Sequence, residues 1–164
     1  MTDSAITTAV AADIDGILSL QEENQPERGG LLSARLPRTW FEAALADLPI
    51  IVARHEAHVV GYLVSASRET VVHVPVIAAM LRAYPGTADS YVYGPICVGA
   101  AHRGQGIAEA MFATLRASLP GREGVLFIRT DNVASLRAHA RMGMRQVATF
   151  EHDAVSYAAF AYIG

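Results

Sequence analysis

The sequence predicts a single mixed α/β domain, and three observations carry that prediction. A chain of 164 residues is long enough for one domain with a real core and too short to expect two. Helix-period and strand-like apolar segments alternate along it, roughly as βα-α-ββ-α-β-α-β-α-ββ, the pattern of helices packed on a mixed sheet. Apolar residues make up 52% of the chain and charged residues 18%, which excludes disordered and fibrous classes. Neither a repeat nor a linker divides it, so residues 1–164 read as one domain.

Each element has its own signal. "AITTAV" (Ala5–Val10) reads as a short strand. Beyond Asp13, the positions Ile14, Ile17, Leu18 and Gln21 recur at helical spacing to about Asn24, where "QPERGG" breaks the run. Pro37 suits the first turn of a second helix, in which Trp40, Phe41, Ala44, Leu45 and Leu48 form one apolar stripe. "PIIVAR" and "VVGYLVSA" flank a polar turn at His55–His58 and make a hairpin. Val74–Tyr84 is helix-like after Pro75, and "YPGTADS" ends it. "SYVYGPICV" (Ser90–Val98) is a strand carrying Gly94-Pro95; proline cannot donate to a ladder, so a bulge or a splayed edge is expected there. In the next helix Ile107, Ala108, Met111, Phe112, Leu115 and Leu119 fill one face, and Pro120-Gly121 stops it. "GVLFIRT" is a buried strand, and Asp131-Asn132 cap a helix ending at Gly143. "MRQVATF" and "VSYAAFAYI" close the chain as two strands around "EHDA". The last is apolar on both faces where the chain ends; read as an uncovered edge, it predicts a homodimer.

Composition also excludes functions. The opening "MTDSAITTAVAADIDG" carries acids where a secretory signal has a basic region, and no apolar run is long enough to cross a bilayer. The expectation is a soluble, cytoplasmic protein with no membrane partner. Cys97 is the only cysteine, which excludes an internal disulfide framework and a Cys-based zinc cluster; it reads as a small buried hydrophobe. H-E-x-H at His55–His58 is one residue short of H-E-x-x-H and sits on a turn, so no metal is expected. The formal charge of −3, with no basic block, speaks against nucleic acid as a partner. The chain has no lysine, hence no Schiff-base nucleophile and no P-loop lysine.

The densest signal is "HRGQGIAEA" (His102–Ala110). Read as a P-loop, it has Gly99 and Gly104 at the right spacing, but Gln105-Gly106 replaces Lys-Ser/Thr. As a dinucleotide fingerprint it has Gly104 and Gly106, but Glu109 stands in place of the third glycine and puts a negative charge near a pyrophosphate. What remains is R-x-x-G-x-A at Arg103, Gly106 and Ala108. Small residues there let backbone N–H groups at a helix N-terminus face an anion.

At this point the chain resembles the GNAT superfamily of N-acetyltransferases. The coenzyme A pyrophosphate loop of that family reads Q/R-x-x-G-x-G/A after a strand ending in an apolar-x-Val step, which Ile96-Cys97-Val98 supplies. Downstream, "NVASLRAHARMGM" resembles the second motif of the family, with Asn132, Ser135, His139, Gly143 and Met144 in register. Two positions depart from the pattern: Met144 where phenylalanine is usual, and His139 where tyrosine is most common. The resemblance implies a mixed, mostly antiparallel central sheet of about seven strands, flanked by four or five helices. It implies acetyl-CoA as cosubstrate, held between the splayed strands Ser90–Val98 and Gly124–Thr130. The implied cofactor residues are Ile96, Cys97, Val98, Arg103, Gly104, Gln105, Gly106, Ile107 and Ala108, with Asn132, Ser135 and His139 from the second motif.

The implied reaction is direct attack of a primary amine, on a small molecule or a peptide, at the thioester through a tetrahedral intermediate. His139 occupies the position of an acid for the thiolate. A base must come from segments that border the acceptor in this fold: Glu22 and Glu23 first, then His73, Asp89 and Tyr91. Tyr91 and Tyr93 alternate on one strand face, a pattern that ordinary sheet packing also produces. Arg35, Arg38 and Arg68 are candidates for a carboxylate on the acceptor, each with a solvated surface role as the alternative. A non-catalytic acyl-CoA binder, used as a sensor or assembly module, keeps Arg103–Ala108 without needing His139.

Overall fold

The computed structural model describes residues 3–164. Its strands are β1 (Ala5–Thr8), β2 (Ile51–His55), β3 (His58–Ser67), β4 (Tyr91–Val98), β5 (Glu123–Arg129), β6 (Arg145–His152) and β7 (Val155–Ile163). Its helices are α1 (Ile14–Glu23), α2 (Arg38–Ala44), α3 (Arg68–Val71), α4 (Pro75–Ala83), α5 (Ile107–Ser118) and α6 (Val133–Arg141). The strands form a seven-stranded sheet in the order β1-β2-β3-β4-β5-β7-β6. β4 pairs with β5 in parallel, whereas β1–β2, β2–β3, β5–β7 and β6–β7 are antiparallel. This is the mixed, mostly antiparallel sheet expected. The chain forms two compact units, one running to Ser65 and taking in Gly94–Ser118, the other comprising Ala66–Tyr93 and Leu119–Gly164.

The first unit buries the stripes read from the sequence. Ile14, Ile17 and Leu20 of α1 and Phe41 and Ala44 of α2 pack with Val52, Tyr62, Val64 and Cys97. α5 buries Ile107, Met111, Phe112 and Leu115, and Gly61 of β3 leaves room for it: a Cβ there would stand 3.2 Å from Met111 and 3.3 Å from Ile107. The β2–β3 hairpin turns at Glu56 and Ala57, both at positive φ. Before α1, Asp13 accepts from the Val10 N–H at 2.8 Å and from two guanidinium nitrogens of Arg54 at 2.8 and 2.5 Å. Burial pushes the Asp13 carboxyl up, but those donors outweigh it and hold the group below its ordinary value.

The segment after α1 has little regular structure, yet buried amides tie it down. Gln21 donates to the Leu36 carbonyl and accepts from the Leu36 N–H, both at 2.9 Å. Gln25 donates to the carbonyls of Gln21 at 3.1 Å and Ala34 at 3.0 Å. Backbone groups that no helix or ladder satisfies are met by side chains instead.

In the second unit β5 pairs with β7 from Glu123↔Ile163 to Arg129↔Tyr157, and β6 pairs with the other side of β7. The last strand is therefore interior to the sheet, with Ala158–Tyr162 buried in succession, which removes the edge argument for a homodimer. The edge strand is β6, with exposed Arg145, Gln146 and Glu151 and a register shift between Gln146 and Ala148, devices that discourage pairing with another chain. α3 was not expected from the sequence: four residues are too few to show a period. Gly124 admits the Tyr162 ring, which a Cβ would meet at 2.3 Å, and the Tyr162 hydroxyl lies 2.6 Å from that of Tyr91.

Candidate functional site

The loop between β4 and α5 is built from the end of a strand. β4 pairs in parallel with β5 at Tyr91↔Gly124 and Val92↔Val125, just before Gly94-Pro95, a cis peptide whose proline has no N–H to offer a ladder. Gly99, following Val98, donates to the Val60 carbonyl at 2.9 Å and so fixes the start of the loop on β3. A single 3-10 turn (Ala100–His102) leads to Arg103, and Gly104 and Gly106 then adopt left-handed φ of 72° and 79°. A Cβ at either would meet nothing within 4 Å, so the requirement for glycine is conformational. α5 begins at Ile107, and its ladder starts with Ala110 N–H donating to the Gly106 carbonyl at 3.0 Å. The first-turn N–H groups of Ile107, Ala108 and Glu109 lie outside that ladder and suit an anion.

Of the expected cofactor residues, Arg103, Gly104, Gln105 and Gly106 are exposed, Ile96, Val98 and Ala108 half-buried, and Cys97 and Ile107 buried. Cys97 is a thiol of the core: burial pushes its pKa up to about 11, with Arg103 lowering and Glu23 raising it. Gln105 reaches back to the Ala101 carbonyl at 3.3 Å. The Arg103 side chain is engaged within its own unit, donating to the Val98 carbonyl at 3.1 Å and to Asn24 Oδ1 at 2.5 Å.

Glu22 and Glu23 lie in different surroundings. Glu22 stands 3.7 Å from both Arg28 and Arg35. Glu23 lines a shallow pocket with Gly16, Ser19, Leu20, His58 and Val59. The arginines considered for a carboxylate are occupied: Arg35 by Glu27, Arg38 by Asp15, and Arg68 by the carbonyls of Pro85 and Thr87 and the Ser90 hydroxyl. Among the described residues, no cluster of three His, Cys, Asp or Glu side chains could hold a metal and no helix is long and apolar enough to cross a membrane.

The second motif builds a different arrangement in the second unit. Asn132 caps α6, its Oδ1 accepting from the Ser135 N–H at 3.2 Å. His139, one turn further on, is 4% exposed. Its Nδ1 lies 2.8 Å from the Ser135 carbonyl and 3.2 Å from the Ser135 hydroxyl, and its Nε2 lies 3.1 Å from the Tyr93 hydroxyl. A carbonyl only accepts, so the imidazole proton sits on Nδ1. In the neutral ring Nε2 is then an acceptor, and the Tyr93 O–H donates to it. Burial holds the His139 pKa below its ordinary value, and the hydrogen bond to the Ser135 backbone offsets this only in part. The sequence places His139, Ser135 and Asn132 on one helix, but the contact of His139 with Tyr93, 46 positions away, leaves no trace in sequence spacing.

Comparisons with known proteins agree with this architecture. A family model described as the acetyltransferase (GNAT) family matches residues 15–144. No curated protein matches the chain by sequence. Solved structures do match. A GNAT-family acetyltransferase of Streptococcus agalactiae is 17% identical with a TM-score of 0.74, covering 98% of this chain and 95% of its own. The ribosomal-protein-alanine N-acetyltransferase of Brucella melitensis is 20% identical with a TM-score of 0.69, covering 98% and 99%. NAA60 of Arabidopsis thaliana, in complex with acetyl-CoA, is 14% identical with a TM-score of 0.69, covering 98% of both chains.

Proposed function

We propose that this chain, which belongs to the GNAT acetyltransferase family, moves the acetyl group of acetyl-CoA to a primary amine of a small molecule or peptide. The observation that carries this reading is the loop heading α5, where left-handed Gly104 and Gly106 turn the backbone ahead of first-turn N–H groups. In this reading those groups and the helix dipole hold the pyrophosphate, and the strand Ile96–Val98 offers its backbone to the pantetheine arm. The amine attacks the thioester carbon, a C–N bond forms, the C–S bond breaks, and one proton passes from nitrogen to sulfur.

His139 is the residue the resemblance implies for proton handling, and its surroundings support a specific form of it. A neutral ring with its proton on Nδ1 has none to give at Nε2. The pair of Tyr93 and His139 instead takes a proton: the intermediate's ammonium gives one to the Tyr93 oxygen as the Tyr93 proton moves to Nε2. The resulting imidazolium, held by the Ser135 carbonyl, returns a proton through Tyr93 to the departing thiolate. Both residues end as they began.

The test is a screen for free thiol release from acetyl-CoA over amino acids, polyamines, aminoglycosides and peptide N-termini. Thermal unfolding with coenzyme A accompanies it, because ligand at a hundred times its Kd adds about 2.7 kcal/mol of stability. Turnover on one class of amine is the expected result. Stabilisation by coenzyme A without turnover on any amine would leave a non-catalytic acyl-CoA binder, and stabilisation by ATP or NAD instead would overturn the cofactor assignment.

A further inference from the structure

Arg103 opens the glycine loop, and its guanidinium is committed on two sides. Nε donates to the Val98 carbonyl at 3.1 Å, closing the base of the loop across five residues. Nη2 donates to Asn24 Oδ1 at 2.5 Å, 79 positions away. Asn24 is a buried C-cap of α1 and is itself fixed: its Nδ2 donates to the Leu20 carbonyl at 2.8 Å, which leaves the amide oxygen directed to Arg103. Its backbone carbonyl accepts from the Leu32 N–H at 3.1 Å. Gly30 lies so close that a Cβ there would stand 1.9 Å from the same carbonyl oxygen. One asparagine thus joins the end of α1, the segment that returns through Gly30 and Leu32, and the cofactor loop.

We infer that Arg103 is a positioning residue, which sets the cofactor loop by tying Val98 to Asn24 and thereby couples that loop to the segment 24–32. The inference rests on the coenzyme A reading of the loop. A planar guanidinium can bridge a carbonyl and an amide oxygen at fixed angles, whereas the compact ammonium of lysine cannot span both. Two of the five guanidinium donors of Arg103 are accordingly engaged by neutral oxygens of the protein, and the N–H groups of the loop hold the anion.

The full chain is tested as Arg103→Ala, Arg103→Lys, Asn24→Ala and the double alanine variant. Calorimetry measures the Kd for coenzyme A, and hydrogen exchange follows the unliganded amides. Asn24→Ala removes no charge, yet is expected to weaken coenzyme A binding as Arg103→Ala does, by roughly tenfold or more, the scale of one charge-assisted hydrogen bond. The double variant should be no weaker than either single one, and Arg103→Lys should not restore binding. Exchange should rise together in 24–36 and 98–108 while β5–β7 stay protected, which also shows that the variants fold. Unchanged affinity in Asn24→Ala alongside a loss in Arg103→Ala would overturn the inference and make Arg103 a cation for the phosphates. Were wild-type chain not to bind coenzyme A, the cofactor reading would fall by itself. The exchange data would still judge the tie, which a rise confined to one segment would overturn.

Discussion

At the scale of single residues, the proposed relay turns on His139, which stands where the resembled motif usually has tyrosine. A phenol can donate directly, but a buried neutral imidazole bonded through Nδ1 to Ser135 can only accept at Nε2. Tyr93→Phe and His139→Phe should therefore each lower kcat by about 10²–10⁴-fold, the usual scale of acid–base assistance, and the double variant should fall no further. The groups facing His139 are Tyr93 from β4 and, beyond the Tyr93 ring, Tyr162 from β7, with Ser135 on its own helix. The acid limb of kcat/KM should accordingly lie below the ordinary imidazole value of about 6.5. Additive losses in the two variants would show that the residues act separately. Stability gives a second readout. A depressed folded pKa means that the unfolded chain binds the proton first, so the contribution is complete above about 6.5 and is lost as pH falls through the folded value. Wild type should thus lose more unfolding free energy than His139→Gln between pH 7.5 and 5.5, as urea titration will show.

At the scale of elements, the loop and α5 depend on backbone that only glycine adopts without strain. Gly106→Ala meets no neighbour, yet must hold φ near 79°. The strain costs on the order of 1–3 kcal/mol, or it is relieved by turning the first N–H groups of α5 away from the anion. Coenzyme A binding should weaken at least tenfold in calorimetry while the melting temperature falls by only a few degrees. Helices and strands of this kind were legible because each has a period, a cap or a stop. The stripe Ile14–Ile17 became core, Asn132 became a cap, and Pro75 opened α4. What the sequence hid is what joins elements. Asn24 looked like the end of a helix and proved to be a tie to Arg103, and Tyr93 looked like sheet packing and proved to hold His139. Glu22 faces Arg28 and Arg35 and Glu23 lines a pocket with His58, surroundings that their place at the end of α1 does not announce.

At the scale of the whole molecule, strand order was the least legible feature, because hydropathy reports that a strand is covered without saying by what. β7, in which Ala158–Tyr162 are buried in succession and so on both faces, lies between β5 and β6, a position that its hydropathy does not give. Net charge, by contrast, reads straight from the sequence and bears on binding kinetics. The chain carries −3 and no lysine, and coenzyme A is itself a multivalent anion. Like net charges give no long-range attraction, so steering would have to come from local positive potential at the site. In the proposed reading capture depends on neutral N–H dipoles at short range, which salt screens little, whereas salt does screen the overall repulsion across a Debye length that shrinks from about 10 Å at 0.1 M to about 3 Å at 1 M. The association rate for coenzyme A should therefore stay level or rise as sodium chloride increases over that range. Stopped-flow binding measures it directly, and a steep fall with salt would mean that arginine side chains, not the loop backbone, receive the phosphates.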